Sequence, residues 1–308
     1  EAGEVVSRTL PATDKREVAR FGVVRIRMTP EFYVSRLNDI RVFKQDEAVL
    51  QIGSFSHPPA LSDVATLTLD DSDVGNLRAC RVGDCGLQLS AAGIERFQRD
   101  VDWRAVDAHR QAETLMRRIL VESVTAYLTR GTPATMEYAD QAERMSVGRE
   151  FASLAGTEVA GWKPFSELRQ HLFDFPATDT PGTVDRMYWS KERVGRRAVV
   201  GVTHLAIMRT AGVPPADYAV ASKQVYGSHY YDASLRLTVL VRDRRAATPI
   251  TYLVYLNRSR VDVFGGVFGA VTRHIVTSKA RGTVANQLGR LQRTLERQFA
   301  AVPPGRRP

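Results

Sequence analysis

The chain is short of lysine, cysteine and uninterrupted apolar runs, and each shortage narrows what it can be. Only six of its 43 basic residues are lysine, at positions 15, 44, 163, 191, 223 and 279; the rest are arginines, paired at Arg117-Arg118, Arg196-Arg197, Arg244-Arg245 and Arg306-Arg307 but otherwise scattered. No block of five or six like charges occurs. The net charge of +9 therefore reads as solvated surface, with an anionic membrane surface as the sharper candidate partner and no nucleic acid expected. The longest apolar stretch, Ala198 to Met208, is interrupted by Thr203 and His204 and falls far short of the roughly 20 residues of a membrane-spanning helix. The six histidines, at 57, 109, 171, 204, 229 and 274, show no HExxH or other ligand spacing. No metal site, cofactor or catalytic set is expected from the linear sequence.

Two cysteines are present, Cys80 and Cys85 in CRVGDC, flanking a Gly-Asp turn. An even pair around a turn closes a small loop in an oxidising compartment, so a Cys80–Cys85 disulfide is expected. A redox pair would show two intervening residues, and a zinc site would need further ligands nearby. The chain begins with Glu1 and no apolar leader, which fits either a cleaved export signal or a trimmed chain. Together these features predict a periplasmic or secreted protein.

The pattern predicts an α+β fold: an antiparallel β-meander gripping a long C-terminal helix, preceded by a helical segment and a small N-terminal α/β subdomain. The subdomain is assigned to residues 1–102 and the remainder to 103–308. Within the first part, FGVVRIRM and AVLQIGSF alternate as strands, Phe32, Leu37, Ile40 and Phe43 fall near helical spacing, and VATLTL and GLQL read as further strands around the cysteine loop. A helix is expected from about Arg104 to Thr129, a second through Met136 to Phe151, and a third from Ser166, its N-cap, to Phe173.

Strands dominate after the FPATDTPGT loop: VDRMYWS, AVVGVTHLAIMR, the segment from Asp217 to Val241, and ITYLVYLNRS are β-branched and aromatic. Short connections make them an antiparallel meander. In AVVGVTHLAIM, Val200, Val202, Ala206 and Met208 share one face and Val199, Leu205 and Ile207 the other, so both faces are covered. A final helix runs from about Phe268 to Phe299, and Ser278, Ala280, Gly282, Ala285 and Gly289 leave its middle small. A sheet gripping such a helix leaves room for a cavity.

Candidate ligand-binding residues are His204, Tyr226, His229, Tyr231, Tyr188 and Trp189. A regular strand would put His229 and Tyr231 on the face of Leu235, Leu237 and Val239, and pairing would bring His204, His229 and Tyr188 or Trp189 together. Arg258, Arg260 and Asp262 read as a structural ion-pair set. The glycines of GGVFG suit a tight strand-to-helix turn.

On the segments TYLVYLNRSRVD, VFGGVFGAVTRHIV and GTVANQLGRLQRTLERQF, the part from about residue 184 to 300 resembles the START/SRPBCC (helix-grip) superfamily. The whole chain also looks like uncharacterised exported bacterial proteins. The resemblance implies a pocket between curved sheet and closing helix, used in that superfamily for lipids, sterols and polyketides. The expected function is thus an exported binding protein holding an apolar or amphipathic small molecule. The alternatives are an enzyme using the same pocket, with His204, His229, Tyr231 and Asp232 as acid–base groups, and an envelope interaction scaffold.

Overall fold

The computed structural model describes residues 5–12, 14–44, 47–156, 163–210, 216–262, 269–303 and 305, with backbone only for 163 and 269–283. In chain order the elements are β1 (Val6–Leu10), β2 (Glu17–Ile26), α1 (Pro30–Leu37), α2 (Ile40–Phe43), β3 (Val49–Ser54), α3 (Asp71–Ala79), α4 (Ala91–Asp100), α5 (Ala108–Arg130), β4 (Glu137–Tyr138), β5 (Met145–Ser146) and α6 (Val147–Gly156). They continue with α7 (Ser166–Asp174), the strands β6 (Thr183–Val194), β7 (Arg197–Arg209), β8 (Tyr218–Gly227), β9 (Tyr231–Arg242) and β10 (Thr251–Val261), and the helix α8 (Gly269–Ala301).

The fold is α+β, built on one eight-stranded antiparallel sheet in the order β1-β2-β10-β9-β8-β7-β6-β3. Strands β6 to β10 are the expected meander. The first fifty residues add β1 and β2 to one edge and β3 to the other, so the boundary at residue 102 does not separate two sheets. Residues 61–101 supply the disulfide-bearing helical layer instead, and the Cys80–Cys85 bond is formed.

Strand alternation gives the sheet two covered faces, as Val199 to Met208 predicts. On the first, α5, α6 and α7 bury Leu115, Phe151, Leu168 and Leu172 against Met187, Val202, Ala206, Ala221 and Leu237. On the second, Phe32, Tyr33, Leu37, Val284, Leu288, Leu295 and Phe299 of α1 and α8 pack with Val24, Ile26, Leu205, Ile207, Val220 and Leu253. Each side chain withdrawn from water this way contributes about 1.5–3 kcal/mol.

Several local expectations are corrected. VATLTL and GLQL form no strands; the residues around Leu67 and Leu69 lie in neither strand nor helix, and side chains bond their backbone groups in place of a ladder. The Leu67 carbonyl accepts from Arg117 Nε at 2.9 Å, the Thr68 carbonyl from Lys191 Nζ at 3.0 Å, and the Leu69 N–H donates to Glu113 Oε1 at 3.0 Å. The helix through Met136 shrinks to α6, because Glu137–Tyr138 and Met145–Ser146 pair as a two-residue ladder. Ser166 is the first helical residue of α7 rather than its cap, and Phe165 precedes it without a side-chain cap bond.

The 33-residue α8 is roughly 50 Å long. Its described half rests on β2 and β1, where Leu288 crowds Gly22 so closely that a Cβ there would lie 2.5 Å from Leu288 Cδ1. Ala285 and Gly289 open onto a surface hollow beside Val5 and Arg293. Ser278, Ala280, Gly282, most of VFGGVFGAVTRHIV and the turn at 212–215 lie outside the described residues or side chains.

Candidate functional site

The six expected ligand residues do not converge; the backbone sends them to three places. Two are structural. Trp189 lies on the first face, donating its indole N–H to the Asp63 carbonyl at 2.8 Å and filling the space above Gly53. Tyr226 is buried edge-on to Tyr138, whose hydroxyl accepts the Gly227 N–H at 2.8 Å.

His204 reaches the first face between Met187 and Lys223, neither of which is a predicted partner. It is 0% exposed, its Nδ1 is 2.8 Å from the Tyr127 hydroxyl, and its Nε2 is 2.7 Å from Asp185 Oδ1. His171, on α7, places Nε2 at 2.9 Å from the same oxygen and Nδ1 at 3.1 Å from Thr180 Oγ1. Burial disfavours the charged Asp185 carboxylate, yet the bonds from His171 and His204 hold it well below the usual carboxylate range. Burial lowers His204 despite Asp185, and Lys223 adds to the lowering. Lys223 itself is pushed down to about 7 by burial; it donates to Thr132 Oγ1 at 2.6 Å and lies 4.1 Å from the centre of the Phe151 ring.

His229 falls in a turn rather than in a strand. Ser228, His229 and Tyr230 separate β8 from β9, and Tyr230 adopts φ 68°, a left-handed conformation that is strained for a tyrosine. His229 Nε2 is 3.1 Å from Asp73 Oδ1. Behind it Asp232, 5% exposed, accepts from Gln88 Nε2 at 3.3 Å and faces Arg16 at 3.5 Å. Burial, with the nearby Asp262, raises Asp232 to about 7, and the same two causes raise Asp140 to about 6. The Tyr226 hydroxyl and Gln88 Oε1 are buried here without a partner among the described residues.

Tyr231 leaves this group. A bulge where β10 passes from Arg260 to Val261 pairs Val261 with Tyr231 and skips Asp232, so Tyr231 packs with Val18 on the second face, opposite to the expected direction. Tyr188 also faces that side, paired with Thr203.

The centre of the second face has a composition its flanks do not share. One rung crosses β2, β10, β9 and β8 as Arg20, Asn257, Arg236 and Ser222, and the next carries Ser259 and Ser234, whose hydroxyls are 2.8 Å apart. Thr203, Gln224, Ser190 and Glu192 extend this polar floor. Lys44 bonds Glu192 at 2.5 Å and lies 5.1 Å from the centre of the Tyr188 ring, while the Arg236 guanidinium is 5.7 Å from that of Tyr255. Burial works against Glu192, but Lys44 outweighs it and holds the carboxyl below its ordinary value.

Arg20 and Arg236 differ from the arginines of the first face. Arg258 pairs with Glu17, and Arg260 with Glu150 and Asp14, which confirms ion pairing for the first two residues of the expected set; Asp262 instead accepts from Gln141 at 2.7 Å. Arg20 and Arg236 have no carboxylate within salt-bridge distance among the described residues; Arg236 bonds the Tyr255 hydroxyl and feels Glu192 from farther off, and a buried Nε without a partner there is common to both and to Arg260.

No signal in the sequence singled out Asp73, Gln88, Asp185, Arg20 or Arg236, since each becomes significant only through a distant partner. No family model, curated protein or solved structure matches the chain, so the helix-grip resemblance assigns it to no superfamily.

Proposed function

We propose that this is a binding protein of an oxidising compartment, periplasmic or secreted, holding an amphipathic small molecule with an anionic group against the second face of the sheet, on the side of the C-terminal helix. The observation that carries the reading is the rung Arg20–Asn257–Arg236, two cations with no carboxylate within salt-bridge distance among the described residues, set into a floor of hydroxyl and amide groups. Polar groups under helices are costly unless hydrogen-bonded, and a guanidinium without a carboxylate is the natural partner of a carboxylate or phosphate. Tyr33, Tyr188, Tyr231 and Tyr255 add flat apolar surface with polar tips, which suits an amphiphile better than a pure hydrocarbon. The arginine-rich exterior favours an anionic membrane as the source of such a guest.

Titration with a fluorescent long-chain carboxylate tests the proposal. Arg236→Gln should weaken binding at least tenfold, equivalent to about 1.4 kcal/mol, with folding retained by circular dichroism. Absence of binding to the wild type, or equal affinity in the variant, would count against it.

The elbow at Tyr230 favours a second reading, an acid–base enzyme. Burial pushes Asp232 up to about 7 and Asp140, which feels His229 of the His229–Asp73 pair, up to about 6, the range suited to proton exchange at physiological pH.

A further inference from the structure

We infer that His171, Asp185 and His204 form a divalent-metal site of the two-histidine, one-carboxylate type, taking zinc, on the first face of the sheet and separate from the proposed binding surface. The three side chains offer ligand atoms that all lie within 4.8 Å of one another. They come from three elements, α7, β6 and β7, so the grouping is a product of the fold.

Three further features separate this cluster from an ordinary buried histidine pair. The outer nitrogen of each imidazole faces a hydroxyl, Tyr127 for His204 and Thr180 for His171. A hydroxyl can donate or accept, so each ring can take the tautomer that leaves Nε2 free for a cation, passing its proton to Nδ1 with no net proton loss; a backbone carbonyl or an ammonium would lock the ring in one state. The ligand set is one anion and two neutral donors, which suits a divalent first-row ion. There is also a route in. The Asp185 side chain is 30% exposed, and β3 pairs with β6 over Tyr188–Glu192, extended by the Phe55 N–H to the Met187 carbonyl, so among the described residues no strand pairs with the outer side of β6 at Asp185. Two histidines at 3% and 0% exposure fix the inner side, and the accessible carboxylate leaves further coordination positions toward solvent.

The full-length chain, dialysed against chelator, is titrated calorimetrically with zinc chloride and, in parallel, with cobalt chloride to read visible ligand-field absorption. We expect one ion per chain, at least a 100-fold loss of affinity in Asp185→Asn and His171→Gln, about a tenfold loss in Tyr127→Phe, and no change in His57→Gln, whose imidazole is on the surface. If the ligand variants fail to fold, long-range proton–nitrogen spectra of the wild type decide, because zinc must shift Nε2 of His171 and His204 and leave the other imidazoles in place. No binding by the folded wild type, shifts at other histidines, or undiminished affinity in folded Asp185→Asn would overturn the assignment. Loss of the carboxylate probe from the second face would leave it untouched.

Discussion

The two faces of the sheet are built from the same eight strands yet handle polar groups differently. On the first, Arg258 meets Glu17 and Asp185 meets two imidazoles, while Lys223, with no carboxylate within salt-bridge distance among the described residues, meets a hydroxyl, a carbonyl and two aromatic rings. On the second, apolar flanks from Val24, Ile26, Leu205 and Ile207 enclose a polar centre where Arg20 and Arg236 have no carboxylate within salt-bridge distance among the described residues, Glu192 acting on Arg236 only from farther off. Matched polar groups fix a structure, whereas unmatched ones leave chemistry for something else to complete. The proposed binding surface lies on the face whose cations lack a carboxylate within salt-bridge distance among the described residues.

The sharpest way to break that comparison is to excavate the first face. Phe151 is completely buried between α6 and the sheet, and Phe151→Ala should cost about 3–5 kcal/mol in urea denaturation. A loss under 1 kcal/mol would show that this face is not the stabilising one.

Lys223 gives a smaller effect of opposite sign. Its folded pKa, about 7, lies below its unfolded value of 10.5, so the folded state resists protonation as pH falls between those values, and the penalty is full below pH 7. Lys223→Met should raise stability at pH 7 by roughly 2 kcal/mol, after loss of its polar contacts, and the gain should shrink as pH rises from 7 to 10.5 and vanish above 10.5, where the lysine becomes neutral in the unfolded chain as well. A gain that persists at high pH would point to packing rather than charge.

Opening the six-residue ring closed by Cys80 and Cys85 should cost about 2 kcal/mol by chain entropy. Cys80→Ser compared with the reduced wild type separates the bond from the residue. Asp232 should give the least. Its carboxyl is raised to about 7, so the folded state favours the protonated form, and stability falls as pH rises from about 4 through 7. Asp232→Asn should melt a few degrees higher than the wild type at pH 8 and at the same temperature at pH 4.

The first face was more legible in the sequence than the second. Leu115 and Ile119 at helical spacing announce α5, and the alternation from Ala198 to Met208 announces a strand buried on both sides. Cys80 and Cys85 declare their bond by proximity. What escaped was whatever depends on a distant partner. β2 pairs with β10 across more than 220 residues, and His171, Asp185 and His204 meet through three different elements. A single bulge reversed Tyr231, since skipping one residue moves a side chain to the opposite face. The apolar alternation around Leu67 and Leu69 was real, but helices rather than a strand partner received it.

Native mass spectrometry of the chain purified from cells, before and after organic extraction, tests the proposed binding surface most directly. The account predicts an anionic adduct of several hundred daltons (on the order of one amphiphile), removed by extraction and missing from Arg236→Gln. The mass of the bare chain alone, unchanged by extraction and identical in both proteins after correction for the substitution, would contradict it.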